Sequence, residues 1–167
     1  MLVADTSGLV SLGCATNGDH QPLNLCLETH ETWIPRNVVE ELEEIASFDD
    51  VHGRGATAAL DRAADVTIKS VDLDEGFPLD AGEHAAVTLA NDINAELLLC
   101  DEFNRLGLIH ASLANTRLVT TPTLLAVFVR TGQLQSSVAL ELLDEISQHR
   151  SWGNNSYVER SRSLFSE

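Results

Sequence analysis

Two short apolar runs in this chain stop abruptly at an acid. Leu2-Val3-Ala4 ends at Asp5, and Leu97-Leu98-Leu99-Cys100 ends at Asp101-Glu102. Such runs read as strands buried on both faces, and strands of that kind belong to a parallel sheet covered by helices. Helical patterns separate them. Leu9, Val10 and Leu12 follow Asp5 at helical spacing, and Pro22 opens a segment in which Leu23, Cys26 and Leu27 share a face before Trp33-Ile34 and Pro35. Over residues 38–48 the apolar stripe Val38, Leu42, Ile45 and Phe48 is ringed by Glu40, Glu41, Glu43 and Glu44, with Asn37 placed to cap the helix. Residues 66–73 read as a strand, and Asp80-Ala81-Gly82-Glu83 starts a helix that reaches about Asn94. Helix 104–113, strand 117–120 and helix 123–130 continue the alternation; helices over 137–149 and in the tail from Ser151 complete it. The pattern predicts a three-layer α/β/α fold around a central parallel sheet. Residues 1–135 would form the sheet domain, with 136–167 as a helical extension packed on it.

Composition narrows the function. The chain has 167 residues, which suits one domain, and 26 acids against 10 bases leave a formal charge of −16. Lys69 is the only lysine, so the other nine bases are arginines. Salt adaptation is the expected cause, with an ordinary acidic cytosolic protein as the alternative: at ~1 M salt the Debye length falls to about 3 Å, and dense carboxylates then repel little while staying hydrated. No apolar stretch is long enough to span a bilayer and the N-terminus lacks a secretory pattern, so a cytoplasmic protein is expected. Cys14, Cys26 and Cys100 are widely spaced among apolar neighbours and read as buried reduced thiols. The histidines do not cluster at zinc-ligand spacing. Gly53-Arg54-Gly55-Ala56-Thr57-Ala58 satisfies a dinucleotide-binding pattern but follows a helix instead of a strand, so it is read as a hinge between helices.

In an open parallel sheet, ligands bind beyond the carboxyl ends of the strands. Asp5 and Asp101 end two strands there, Glu83 lies in the first turn of the helix before the second of them, and Glu40 lies near the start of the helix after Pro35. Four carboxylates from four elements would thus converge at one edge. Gathered carboxylates repel unless a cation occupies them, and the natural occupant is a hard divalent ion such as magnesium or manganese. In so acidic a chain, the competing reading of each acid is a solvated helix start.

The string Val3-Ala4-Asp5-Thr6-Ser7-Gly8-Leu9, the Val38-Val39-Glu40-Glu41-Leu42 helix, Asp80-Ala81-Gly82-Glu83 and Leu97-Leu98-Leu99-Cys100-Asp101-Glu102 together resemble the successive motifs of a PIN domain. Leu118-Val119-Thr120-Thr121-Pro122-Thr123-Leu124-Leu125, followed by Arg130-Thr131-Gly132, resembles the family's last strand and helix. The resemblance covers about residues 1–135. It implies a ribonuclease dependent on Mg2+ or Mn2+, with Asp5, Glu40, Glu83 and Asp101 holding the metal and Thr6 or Ser7 hydrogen-bonding Asp5 or a water on the metal. It also implies cleavage that leaves a 5′-phosphate and a 3′-hydroxyl, and frequently a homodimer. For many relatives it implies the role of toxin, with an antitoxin protein as partner. Two departures bear on the ligands: Ala85 stands where close relatives often carry a second Glu, and Asp101-Glu102 replaces a frequent Asp-Asp, which leaves Glu102 as the alternative to Asp101.

The charge works against binding RNA, whose affinity usually comes from basic patches. Arg36, Arg54, Arg105 and Arg117 lie near the expected strand ends or the helices beside them, and so are candidates for phosphate contacts, with Arg36 and Arg105 foremost. A PIN-like module that binds RNA or a protein without cleaving it is the main rival reading. A phosphatase on a related sheet would want an acid where Ser7 stands, and a receiver domain would want a lysine near its last strand, where there is none. A purely structural interaction protein is the remaining rival.

Overall fold

Five strands, β1 Leu2–Ala4, β2 Thr32–Pro35, β3 Thr67–Lys69, β4 Leu97–Leu99 and β5 Arg117–Val119, form one sheet in the order β3-β2-β1-β4-β5, and every neighbouring pair is parallel. The computed structural model describes residues 1–15 and 19–165. Among these, nine helices flank the sheet: α1 Thr6–Gly13, α2 Pro22–Thr29, α3 Arg36–Ala46, α4 Val51–Asp61, α5 Ala81–Asp92, α6 Leu106–Ser112, α7 Thr121–Arg130, α8 Ser136–His149 and α9 Ser156–Phe165.

The period of two along the strands divides the core. Leu2, Ala4 and Leu99 point to one face, where α1, α3, α7, α8 and α9 bury Leu12, Val38, Phe128, Leu142, Ile146 and Phe165. Val3, Leu98 and Cys100 point to the other, which α5 and α6 cover with Ala86, Leu89, Ala90 and Ile109. The layers are those the apolar runs foretell. All three cysteines are buried and unbridged.

Four local expectations differ from the structure. Pro35, extended at φ −73° and ψ 155°, ends β2, and α3 begins directly at Arg36. Asn37 therefore lies inside the first turn and caps nothing; Phe48 falls past the helix and is exposed. The Gly53–Ala58 segment is no hinge, because α4 runs straight through it from its cap at Asp50, whose carboxylate accepts the Gly53 N–H at 2.7 Å. The glycines serve packing: a Cβ on Gly55 would meet the Val10 carbonyl oxygen at 2.8 Å and the Cys14 sulfur at 2.9 Å, and one on Gly13 would collide with Gly55 itself. With no side chains between them, α1 and α4 meet backbone to backbone. The strand expected over 66–73 shortens to the edge strand β3.

Sequence order places β1 at the centre. The chain builds outward through β2 and β3, then crosses back to lay β4 on the other side of β1. The crevice beyond the carboxyl ends of β1 and β4 is a topological switch point, where open α/β sheets bind ligands. The Leu99 carbonyl oxygen accepts the Asp5 N–H at 2.9 Å, so the two strand ends are level.

Candidate active site

Asp5 ends β1 and caps α1. Its carboxylate accepts the Ser7 hydroxyl at 2.8 Å and, more weakly, the Ser7 N–H at 3.4 Å. The Ser7 hydroxyl oxygen also accepts the Asp101 N–H at 2.9 Å, which ties the ends of the two central strands together. Gly8 makes this closeness feasible, since a Cβ there would sit 2.5 Å from Leu99 Cγ. Asp5 is buried, and that burial, with the charge of Glu41 added, pushes its carboxyl up to about 7.

A cleft of about 440 Å³ opens over this edge. Its acids are Asp5, Glu41, Glu44, Asp80, Glu83 and Glu102; Thr6, Ser7, Val10 and Ile45 complete the floor, and Arg150 is the one cation on its wall among the described residues. Glu41 reaches in from α3, where the Thr6 hydroxyl donates to it and the Gly82 N–H supports it. Its carboxylate fills the space a Cβ on Gly82 would need, which accounts for glycine at that position. Asp80 caps α5 by accepting the Glu83 N–H at 2.9 Å. Glu83 is buried and pairs with Arg105 at 3.1 Å. Desolvation raises both Glu41 and Glu83 above the usual carboxylate range, with nearby Asp80 adding to each.

Of the expected ligands, Asp5 and Glu83 line the cleft and Glu40 does not. Glu40 is exposed on the outer face of α3, and Glu41 takes its place. The apolar stripe held the clue. At 100° per residue Glu40 lies roughly opposite Val38, Leu42 and Ile45, whereas Glu41 lies beside them. Asp101 is buried 4% exposed beneath the edge, with both carboxylate oxygens taken by Thr121, and Glu102 is the residue that faces the cleft. Burial raises the Asp101 carboxyl, and its bonds to Thr121 offset part of that. Thr6 and Ser7 stand as expected against the carboxylates, though Thr6 serves Glu41 and Ser7 serves Asp5. Arg105 is committed to Glu83, and Arg36 is exposed outside the cleft. Arg150 carried no motif and could not have been found by one.

The donors are oxygens, acidic and crowded, which is the chemistry a hard divalent cation requires. Among the described residues no three His, Cys, Asp or Glu side chains converge closely enough to grip an ion as they stand. Two donors are engaged elsewhere, Glu41 by Thr6 and Glu83 by Arg105, and both engagements are single side-chain contacts.

A family described as PIN domain matches the chain over residues 1–167. The chain belongs to the PIN-domain family. No curated protein and no solved structure gives a significant match. PIN domains are typically nucleases that use divalent metal ions, so a nuclease-type hydrolase is the general class of this one. The match extends through α8 and α9, whose Leu142, Leu143, Ile146, Val158 and Phe165 share the main core with β1 and β4. Among the described residues of this PIN domain, no helix is long and apolar enough to cross a membrane.

Proposed function

We propose that this PIN domain is a metal-dependent endoribonuclease whose active site is the cleft over β1 and β4. The observation that carries the reading is the set of acids that faces one crevice at the switch point, with a buried Asp5 at its centre. Asp5, Glu41 and Glu83 are each raised by burial with a neighbouring acid adding to it, which costs stability when they are charged, and a bound cation relieves that cost.

Asp5, Glu41, Glu83 and Glu102 would hold Mg2+ or Mn2+, which when bound supplies an activated water and offsets charge on the phosphate. The chain's own residues prepare for this. Ser7 fixes the Asp5 carboxylate, Thr6 and the Gly82 N–H park Glu41, and Arg105 restrains Glu83 until it is needed. In the hydrolysis, water oxygen bonds to phosphorus as the bond to the 3′-oxygen breaks; the 3′-oxygen takes a proton, leaving a 3′-hydroxyl and a 5′-phosphate. A toxin role, with an antitoxin as partner and a homodimer as working unit, extends this reading and is supported by the resemblance alone.

The test is calorimetric titration of Mn2+ into the wild type and Asp5→Asn in high-salt buffer, beside cleavage of a labelled RNA. Saturable binding and cleavage by the wild type, both lost in the folded variant, are expected. Undiminished cleavage by Asp5→Asn would refute the assignment. Absence of both binding and cleavage in the wild type would favour the non-cleaving module.

A further inference from the structure

Arg150 faces the acid-lined cleft from the C-terminal cap of α8, beyond the segment that carries the family-like motifs. Among the described residues its buried Nε has no hydrogen-bond partner, although its charge is felt by the buried Asp101 and Cys14. Other arginines of this chain pair with a carboxylate or lie exposed. Arg62 pairs with Asp65, Arg105 with Glu83 and Arg162 with Asp144; Arg36, Arg117 and Arg130 are exposed, where water satisfies them. Arg150 is half-buried, and in a chain so rich in acids it still stands out of hydrogen-bond reach of the carboxylates beside it.

A half-buried guanidinium whose buried Nε lacks a partner is costly, and its planar fork of five N–H groups suits one ligand above others, the oxygens of a phosphate. The cleft also needs such a donor, because a phosphate entering among Asp5, Glu41 and Glu44 is repelled at contact range, where salt screens little. Resting on the nuclease reading, we infer that Arg150 is the phosphate clamp of the site: its guanidinium binds non-bridging oxygens of the RNA phosphate opposite the metal-holding carboxylates. The helices after β5 thereby supply part of the substrate site, and Arg36 and Arg105 do not.

The test measures binding of a short fluorescein-labelled single-stranded RNA by anisotropy across a KCl series, in the non-cleaving Asp5→Asn background. Adding Arg150→Gln is expected to weaken binding about tenfold and to reduce the slope of log Kd against log salt by about 0.7, the loss of one phosphate contact. Arg160→Gln, on the exposed face of α9, should leave both unchanged. An unaltered slope and affinity in Arg150→Gln would overturn the clamp while leaving the nuclease reading intact, provided Asp5→Asn alone abolishes cleavage. A wild type that neither binds nor cuts RNA would overturn both. If Arg150→Gln fails to fold, Arg150→Lys made in the cleaving wild type keeps the charge without the fork: a raised KM at unchanged Tm supports the clamp, and an unchanged KM overturns it.

Discussion

Both oxygens of the Asp101 carboxylate accept hydrogen bonds from Thr121, one from its N–H at 2.7 Å and one from its hydroxyl at 2.6 Å. Asp101 thus ties the end of β4 to the first turn of α7 inside the protein. Asp101→Ala leaves the Thr121 donors unpaired in buried surroundings, at a cost of about 1–3 kcal/mol. Glu102→Gln touches no such tie. Thermal melts and RNA cleavage on both variants should find Asp101→Ala destabilised, and Glu102→Gln stable but impaired in cleavage. Full activity in Glu102→Gln would return the ligand role to Asp101.

Glu40 and Glu41 are neighbours in sequence with opposite surroundings. Glu41→Gln should weaken Mn2+ binding about tenfold or more, and Gly82→Ala should do the same by displacing the Glu41 carboxylate. Glu40→Gln, altering a solvated side chain, should leave affinity and Tm where they were. Calorimetry on the three variants decides it, and a large loss in Glu40→Gln would mean that α3 presents a different face in solution.

Asp5 makes the metal-free fold sensitive to pH. Its carboxyl rises from 3.8 to about 7 on folding, chiefly through burial, so the folded state holds the proton more tightly than the unfolded state does. The stability this contributes is fully present below about pH 4 and is lost as pH climbs through about 7. Asp5→Asn stays neutral throughout. The metal-free variant should therefore melt above the wild type at pH 8, with the gap closing toward pH 4, and Mn2+ should raise the wild type alone. Glu41 and Glu83, also raised, leave a weaker slope of the same sign in the variant. A variant that melts below the wild type at pH 8 would contradict the burial of a charged Asp5.

The acid excess on the surface, including Glu40 and Glu43 along the exposed side of α3, leads us to propose salt adaptation. The Tm should climb steeply as KCl is raised toward ~1 M, where the Debye length shrinks to about 3 Å. A flat response would remove that explanation and leave an ordinary acidic protein.

The layers and the strand ends were legible because burial on both faces leaves an unbroken apolar run, as at Leu97–Cys100, and an acid can follow only where the run meets solvent or a polar edge. The place of Asp5 was legible for the same reason, and that of Glu83 from the helix start that Asp80 caps. The slip from Glu41 to Glu40 came from counting position along α3 instead of angle around it. Asp101 and Glu102 are harder, since a strand end fixes which residue comes next but not whether its side chain turns down toward α7 or up toward the cleft; Thr121 decides that, from a distant part of the chain. Arg150 depends on how α8 lies against α7 and α9, a packing outcome with no local signal.

The bare contact between Gly13 and Gly55 works like a joint with no play. α1 starts at Asp5, Thr6 and Ser7, and α4 is joined by a short turn to the helix that carries Glu41. A single methyl group at either glycine has nowhere to go except into relative movement of these helices, and that movement arrives at the other end as a change in the gap between Asp5 and Glu41. The alignment of the acids is therefore set in part by two residues that have no side chain at all, and neither can shrink to make room for a side chain gained by the other.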